Sequence, residues 1–130
     1  MQEYRRTTKV AQEFLDLVNQ VFDIEKKASV IKEDNSIQRN INKLRDLIQY
    51  ELFKNIGDTI GLSYHNPIGE PYNETRTDCD ADIAGNSAEN LKIIEVIKPI
   101  IYLSYKENDM IIKNIAQKAV VVAKSNKVKL

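Results

Sequence analysis

The chain has 130 residues and a formal net charge of zero, with 19 Lys and Arg against 19 Asp and Glu. This length corresponds to one domain, or to a short helical arm with one small domain. The balanced charge argues against a nucleic-acid-binding protein, which needs a basic excess to neutralise phosphates. Charged residues at 29% and apolar residues at 42% are typical of a soluble protein with a core.

The same composition limits the compartment and the chemistry. No apolar run approaches the roughly 18 residues that a membrane-spanning helix needs, and the N-terminus shows no signal-peptide pattern. The single cysteine, Cys79, cannot form an internal disulfide, so we expect a cytoplasmic protein. With one histidine (His65) and no phosphate-binding glycine motif, an enzyme is the weaker expectation. We predict no catalytic residue and no cofactor.

The N-terminal half predicts two amphipathic helices. In the first, apolar residues recur at alternating steps of four and three, at Val10, Phe14, Leu17, Val21, Ile24 and Ala28. A second apolar face, formed by Leu15, Val18 and Phe22, makes the stripe wide enough for a helix bundle. An ordinary amphipathic helix packed on its own domain explains the pattern equally well.

The second predicted helix follows the polar residues 32–36, several of which can cap a helix. Its apolar residues are Ile37, Ile41, Leu44, Ile48, Leu52 and Ile56, and Gly57 or Gly61 can end it. A helical hairpin alone buries little, so it needs another chain or the rest of this one. We predict a homodimer joined through residues 10–60, with an interface formed by Phe14, Leu17, Val21, Ile41, Leu44 and Ile48.

After Leu62 the pattern changes. Residues 63–90 are rich in proline, glycine and polar turn-forming residues, which predicts loops and turns. Runs of β-branched residues then predict strands at 93–97, 100–105, 110–112 and 119–123. Pro99 between the first two marks a break or a sheet edge, because proline cannot donate to a strand ladder. The predicted fold is α+β, with a helical dimerisation region over 1–62 and a small β domain over 63–130.

Two charged stretches have more than one interpretation. Asp78, Asp80 and Asp82 alternate as the oxygen ligands of a calcium loop do, but the sixth position is Ile83 rather than glycine. We therefore predict a solvated acidic loop and no metal site. From Lys113 onward the chain carries lysines and no acids. Those lysines form an electrostatic face for an acidic partner, or guard a strand edge against pairing; both interpretations stay open.

Five stretches resemble the GrpE family, the nucleotide exchange factors of DnaK-type heat-shock chaperones. Residues 3–8 resemble the family's N-Y-R-R-R-T, and residues 14–19 resemble L-L-P-V-L-D-N-L. Residues 68–73 are similar to G-E-P-F-D, residues 94–98 to V-E-V-L-Q, and residues 115–124 to L-R-P-A-M-V-V-V-A-K. The resemblance implies a dimeric helix bundle and a β domain that docks on the nucleotide-binding domain of a DnaK-type chaperone and promotes ADP release. It implies no membrane or nucleic-acid partner.

The chain also departs from the family pattern. Pro99 opens the segment where the family has K-G-Y, and Ala116 and Gln117 replace the arginine and proline of L-R-P-A-M. The turn between Tyr105 and Met110 reads as longer than the family's N-G or N-D turn. The His-Glu-Ala run after G-E-P-F-D and most of the N-terminal stalk are missing. Two interpretations of the missing stalk stay open: a truncated chain, or a shortened relative that has changed its partner.

The resemblance implies three partner-binding positions. Ile97 matches the leucine of V-E-V-L-Q, Lys113 the turn-adjacent arginine, and Val122 the third valine of V-V-V-A-K. Lysine keeps the charge of arginine but not its two-pronged hydrogen bonding. Strand alternation leaves open whether Ile97 and Val122 face outward or into the core. The alternative function is a GrpE-like structural or interaction module that lacks exchange activity and binds another protein.

Overall fold

The computed structural model describes residues 7–31, 36–57 and 59–125. Helix α1 spans Gln12–Ala28 and α2 spans Ile37–Asp46, and a single π-helical turn follows at Leu47–Glu51. The rest of the described chain is β structure, so the predicted α+β class is confirmed. Within the described ranges, no helix is both long and apolar enough to cross a membrane.

Helix α1 buries its second apolar face more fully than its heptad stripe. The buried residues are Leu15, Val18, Val21 and Phe22. They include the whole second apolar face of the predicted helix, whereas Leu17 and Ile24 of the heptad are exposed. Lys26 and Lys27 lie in the last turn, where cations interact favourably with the helix dipole. The helix therefore packs on its own chain, as the second interpretation of the pattern expects.

Helix α2 is shorter than its apolar pattern predicts. Regular α-helical hydrogen bonding ends at Asp46, and the Leu52 amide then donates to the Leu47 carbonyl at 2.8 Å, a π-type bond. This wider turn keeps Ile48 in the core together with Ile41. Turns follow from Leu52 to Ile56, where the sequence predicted further helix.

The strands form two sheets. The strands are β1 (Gly61–His65), β2 (Pro71–Tyr72), β3 (Cys79–Ala84), β4 (Leu91–Lys98), β5 (Ile100–Glu107), β6 (Met110–Gln117) and β7 (Ala119–Ser125). Sheet A has the order β1-β5-β6, and sheet B has the order β2-β4-β7-β3. Neighbouring strands are antiparallel except β3 and β7, which are parallel.

Pro99 is where the chain passes from sheet B to sheet A, so the predicted break is confirmed. Lys118 is the matching crossing point between β6 and β7. The Gln117 side-chain amide donates to the Pro99 carbonyl at 3.0 Å and exchanges hydrogen bonds of 2.8 and 2.9 Å with Asn19 of α1. Two positions that depart from the family pattern therefore contact each other at the corner between the sheets.

Two loop predictions are wrong. Residues 63–90 were predicted to be loops and turns, but they contain β2, β3 and most of β1. Strand β3 forms an edge of sheet B, and its side chains alternate between the inward and the outward face. The turn between β5 and β6 has only two residues, Asn108 and Asp109, since Glu107 pairs with Met110. Both turn residues have positive φ, of 50° and 64°, as a type I′ hairpin requires. The hairpin is therefore as short as the family's.

One hydrophobic core contains residues from the helices and from both sheets. Phe22 and Ile41 from the helices belong to the same cluster as Leu62, Ile101 and Val121 from the strands. The predicted boundary between residues 62 and 63 falls inside β1. The helices are thus packed against the β region rather than held apart from it.

Candidate interaction surface

Ile97 and Val122 both lie on the outer face of sheet B. Val122 stands in β7 between Val121 and Ala123, which are fully buried, so the alternation of the strand turns Val122 to the opposite face. Ile97 in β4 is 47% exposed. Neither side chain is part of the core, and the two strands are hydrogen-bonded neighbours.

Two β-bulges in β4 put extra apolar side chains on this face. The register shifts between Ile93 and Glu95 and again between Val96 and Lys98, so Ile94 and Ile97 have no partner residue on β7. A bulge adds a residue to one strand and re-aims the neighbouring side chain. As a result Ile94 is exposed next to Glu95, and Ile97 is exposed next to Lys98.

Charged residues surround the apolar side chains on the outer face of sheet B. Val122 pairs with Asp82 on β3 and with Glu95 on β4, while Val120 pairs with Asp80 and Lys98. Residues opposite one another in a ladder share a face of the sheet. We call this set the sheet B surface; its members are Ile94, Ile97, Val120, Val122, Asp80, Asp82, Glu95 and Lys98. An apolar centre with a polar rim is the usual anatomy of a protein interface.

Lys113 lies on the other sheet. It stands on β6, the outer strand of sheet A, and its ammonium group lies 5.6 Å from the centre of the Tyr102 ring. That is within the range of a cation–π interaction. The structure thus brings two of the three predicted partner-binding residues onto adjacent strands and places the third on a separate sheet.

The six predicted dimer-interface residues differ in their exposure. Val21, Ile41 and Ile48 are buried in the core of the single chain. Phe14 packs against Phe53, with ring centres 4.9 Å apart. Leu44 is half-buried against the same core, and Leu17 alone of the six is exposed, at 42%. A second copy would therefore meet Leu17 and its exposed neighbours on α1, and the dimer stays a prediction.

A polar cluster joins the loops before β2 and β3. The Arg76 guanidinium donates from Nε to Asp78 at 2.6 Å, from Nη2 to Glu70 at 2.7 Å and from Nη1 to the Pro71 carbonyl at 3.0 Å. Glu70 also bonds the His65 imidazole. Asp78 is only 7% exposed, so it does not belong to a solvated acidic loop as predicted.

The cluster shifts the titration of its members. Burial raises the pKa of Glu70, but the hydrogen bonds from Arg76 and His65 outweigh it, and the net pKa is lowered. The same competition between burial and Arg76 lowers the pKa of Asp78. Burial raises the pKa of the Cys79 thiol to about 12, despite the opposing charge of Arg76. The thiol is therefore protonated at neutral pH and is a poor nucleophile.

Asp78 is turned away from the other two aspartates of the predicted acidic loop. Asp78 is held by Arg76, whereas Asp80 and Asp82 are exposed on the outer face of sheet B. Within the described ranges, no three histidine, cysteine or acidic residues are grouped as a metal site. The sequence analysis did not predict the cluster around Arg76. The one signal for it in the sequence was the spacing of Arg76 two residues before Asp78, which allows an ion pair.

Comparison with protein-family models, with curated proteins and with solved structures finds no match for this chain. The resemblance to the GrpE family therefore rests on the five stretches quoted above. The first of these, residues 3–8, lies outside the described residues except for Thr7 and Thr8.

Proposed function

We propose that this protein is a GrpE-like nucleotide exchange factor that promotes ADP release from a DnaK-type chaperone. Its sheet B surface docks on the nucleotide-binding domain of the chaperone, and the protein acts as a cytoplasmic homodimer. The observation that carries the proposal is the position of Ile97 and Val122. The resemblance assigns both to the chaperone contact, and both are on the outer face of adjacent strands instead of in the core.

The hairpin gives further support. The sequence suggested a long turn between β5 and β6, which would have been a departure from the family pattern. The Asn108–Asp109 turn has two residues, as in the family's N-D turn. One of the differences that weakened the resemblance is thereby removed.

The proposed mechanism needs binding energy and no catalytic group. The sheet B surface binds the open form of the nucleotide cleft better than the closed form, so the chaperone population shifts toward the open form. ADP is then held less tightly and leaves faster. By linkage, ADP must weaken the binding of this protein to the chaperone by the same factor.

A second candidate is an interaction module without exchange activity. The position of Lys113 favours it, because this residue contacts Tyr102 at the edge of sheet A instead of joining the sheet B surface. In this alternative, the outer face of sheet B binds a different protein. The residues at positions 99 and 117 also depart from the family pattern, and Gln117 contacts Pro99 at the corner between the sheets, which likewise favours this alternative.

Release of a fluorescent ADP analogue from a DnaK-type chaperone separates the two candidates. For an exchange factor, the wild type accelerates release, and Ile97→Asp reduces the acceleration about tenfold, the effect of burying an unpaired charge at an interface centre. The control is Ile68→Asp, since Ile68 is a comparable 50% exposed but lies in a loop outside the sheet B surface. It should behave as the wild type does.

Charge reversal at Lys113 tests the third position separately. Lys113→Glu should slow association with the chaperone most at low ionic strength, and it should leave the free energy of unfolding within about 0.5 kcal/mol. Unchanged ADP release by this variant removes Lys113 from the contact. A wild type that accelerates nothing with its cognate chaperone contradicts the exchange-factor proposal and leaves the interaction module.

A further inference from the structure

The second bulge of β4 brings its backbone against α1. The Lys26 ammonium group donates to the Val96 carbonyl at 2.9 Å. Val96 pairs with Val121 at the start of this bulge, and Ile97 is the extra residue that follows. A side chain of α1 is therefore bonded directly to the backbone beside Ile97.

The Val96 carbonyl points away from β7. The Ala119 amide donates to the Asp78 carbonyl at 2.9 Å, so Ala119 and every second residue after it on β7 bond toward β3. Val121 belongs to this set, which makes Val96–Val121 a non-hydrogen-bonded pair of the β4–β7 ladder. The Val96 carbonyl thus lies on the far side of β4, where α1 supplies its donor.

This hydrogen bond fixes the direction in which Ile97 leaves the strand. The Val96 carbonyl and the Ile97 amide belong to one planar peptide group, so a contact that holds the carbonyl also holds the amide. At the other end of the bulge, the Pro99 carbonyl accepts a hydrogen bond from Gln117, whose side chain is paired with Asn19 of α1. The bulge is therefore held at both ends by contacts that lead back to α1.

The position of Lys26 on α1 suits this contact. Lys26 follows Phe22 by four residues, so the two side chains lie on the same side of the helix. Phe22 is buried in the core, and the Lys26 ammonium group lies 5.9 Å from the centre of its ring. A cation at this distance from an aromatic ring is attracted to it. The ring and the Val96 carbonyl thus hold the ammonium group together.

We propose that Lys26 is a positioning residue that holds Ile97 in place on the sheet B surface. Lys26 acts through the peptide group between Val96 and Ile97 rather than by contact with the partner. A partner then meets an Ile97 side chain that is already ordered, which lowers the entropic cost of association. The identity of the partner rests on the proposed function, whereas the positioning itself can be tested in the free protein.

The first experiment uses the full chain, free in solution and labelled with ¹⁵N. Lys26→Met keeps an unbranched side chain but removes the donor. It should shift the amide signal of Ile97, because this nitrogen shares a peptide group with the Val96 carbonyl that loses its hydrogen bond. Lys26→Arg restores a donor and should move the signal back toward its wild-type position.

Lys27→Met is the matched control. Lys27 lies in the same last turn of α1 and carries the same charge, but it forms no hydrogen bond or ion pair with a described residue. Its loss should leave the Ile97 amide signal unchanged. A shift that both variants produce equally would come from the charge of the helix end and not from the contact with Val96.

The second experiment measures the release of a fluorescent ADP analogue from a DnaK-type chaperone at increasing concentrations of this protein. Lys26→Met should raise the concentration for half-maximal acceleration about fivefold, since Ile97 must now be ordered on binding. The maximal acceleration should stay the same, because the bound complex makes the same contacts. Lys26→Arg should recover most of the loss, and Lys27→Met should behave as the wild type does.

A double-mutant cycle shows whether Lys26 acts through Ile97. In the Ile97→Ala background, Lys26→Met should change the half-maximal concentration less than about twofold, because the side chain that Lys26 positions is absent. A role in the stability of the fold alone would give equal effects in both backgrounds. The unfolding midpoint of each variant confirms that the protein is folded.

Two results would overturn the proposal. The first is an Ile97 amide signal that responds to Lys26→Met no more than to Lys27→Met. The second is additivity of the effects of Lys26→Met and Ile97→Ala on ADP release. A wild type that accelerates no ADP release contradicts the proposed function instead, and the Ile97 amide signal then decides the role of Lys26 alone.

Discussion

Arg76 holds two loops of sheet B together through a single guanidinium group. Its contacts with Glu70, Asp78 and the Pro71 carbonyl use all three of its nitrogens. Charge-assisted hydrogen bonds of this kind are stronger than neutral ones. Arg76 and Asp78 are both largely shielded from water, so the contact is screened less than a surface ion pair.

We predict that Arg76→Ala lowers the free energy of unfolding by about 1–3 kcal/mol, because a nearly buried carboxylate loses its charged donor. Arg39→Ala is the matched control. Arg39 is exposed on α2 and forms no hydrogen bond or ion pair with a described residue, so its loss should cost less than about 0.5 kcal/mol. Urea unfolding measures both variants, and equal losses would contradict the assigned role of Arg76.

The pH dependence of the free energy of unfolding, compared between the wild type and Arg76→Ala, tests the lowered pKa values of Glu70 and Asp78. A carboxyl whose pKa is lower in the folded state stabilises the protein above its ordinary pKa, here 4.5 and 3.8. This contribution disappears as the pH falls through the folded pKa. The stability difference between wild type and Arg76→Ala should therefore be constant from pH 7 to about pH 5 and shrink below about pH 4. A difference that grows on acidification would disprove the lowered pKa values.

At the scale of the elements, Gly61 fixes how closely β1 approaches the π-helical turn. A Cβ atom at this position would lie 1.9 Å from the Gln49 carbonyl oxygen, which belongs to the backbone and cannot rotate away. The sequence suggested Gly61 only as a helix terminator. Its main role in the structure is to allow this close approach.

We predict that Gly61→Ala lowers the free energy of unfolding by about 2 kcal/mol, as overpacking of a rigid contact does. Gly57→Ala is the control, since its Cβ would meet the end of the Ile60 side chain at 2.9 Å. That side chain can move, so the cost should stay below about 1 kcal/mol. Thermal and urea unfolding measure both variants, and equal costs would show that the Gly61 contact relaxes.

The strands that the sequence predicted are those with continuous β-branched runs. All four predicted runs lie within β4, β5, β6 and β7, because these strands supply most of the core between the sheets. Strand β3 was missed, since Asp80 and Asp82 on its outer face dominate its composition. Its period of two, with Cys79 and Ala81 turned inward, was the signal that would have revealed it.

The candidate surface was predictable only in part. The resemblance located Ile97 and Val122, but the sequence left their direction open. In the structure, Val122 is turned outward by the alternation of β7, whereas the direction of Ile97 depends on a bulge that arises from the pairing of β4 with β7. The position of a bulge depends on how β4 pairs with β7, so the sequence of β4 alone does not predict it.

At the scale of the whole molecule, α1, α2 and β1 are joined by polar contacts to the Glu25 carboxylate over the shared core. The Tyr64 hydroxyl donates to Glu25 at 2.8 Å, and Arg45 donates to the same carboxylate at 3.4 Å. Arg45 also lies over the Tyr64 ring, 4.7 Å from its centre. Burial and the hydrogen bond to Glu25 raise the pKa of Tyr64, so this phenol stays a donor at all ordinary pH values.

Since the protomer buries most of the predicted dimer residues itself, Leu17 gives the sharpest test of self-association. We predict that the wild type sediments at micromolar concentration with twice the chain mass. Leu17→Asp should sediment as a monomer, because the dimer would bury an unpaired charge. Leu17 is exposed in the single chain, so the variant should keep the free energy of unfolding of the protomer within about 0.5 kcal/mol.

Two further variants separate loss of the dimer from loss of the fold. Gln12→Asp adds the same charge at an exposed position about 140° around α1 from Leu17, and it should remain a dimer. Leu44→Asp should weaken both the dimer and the protomer, since Leu44 also packs against the core of its own chain. A wild type of single-chain mass would rule out the dimer. A dimer that survives Leu17→Asp would place the interface away from the exposed face of α1.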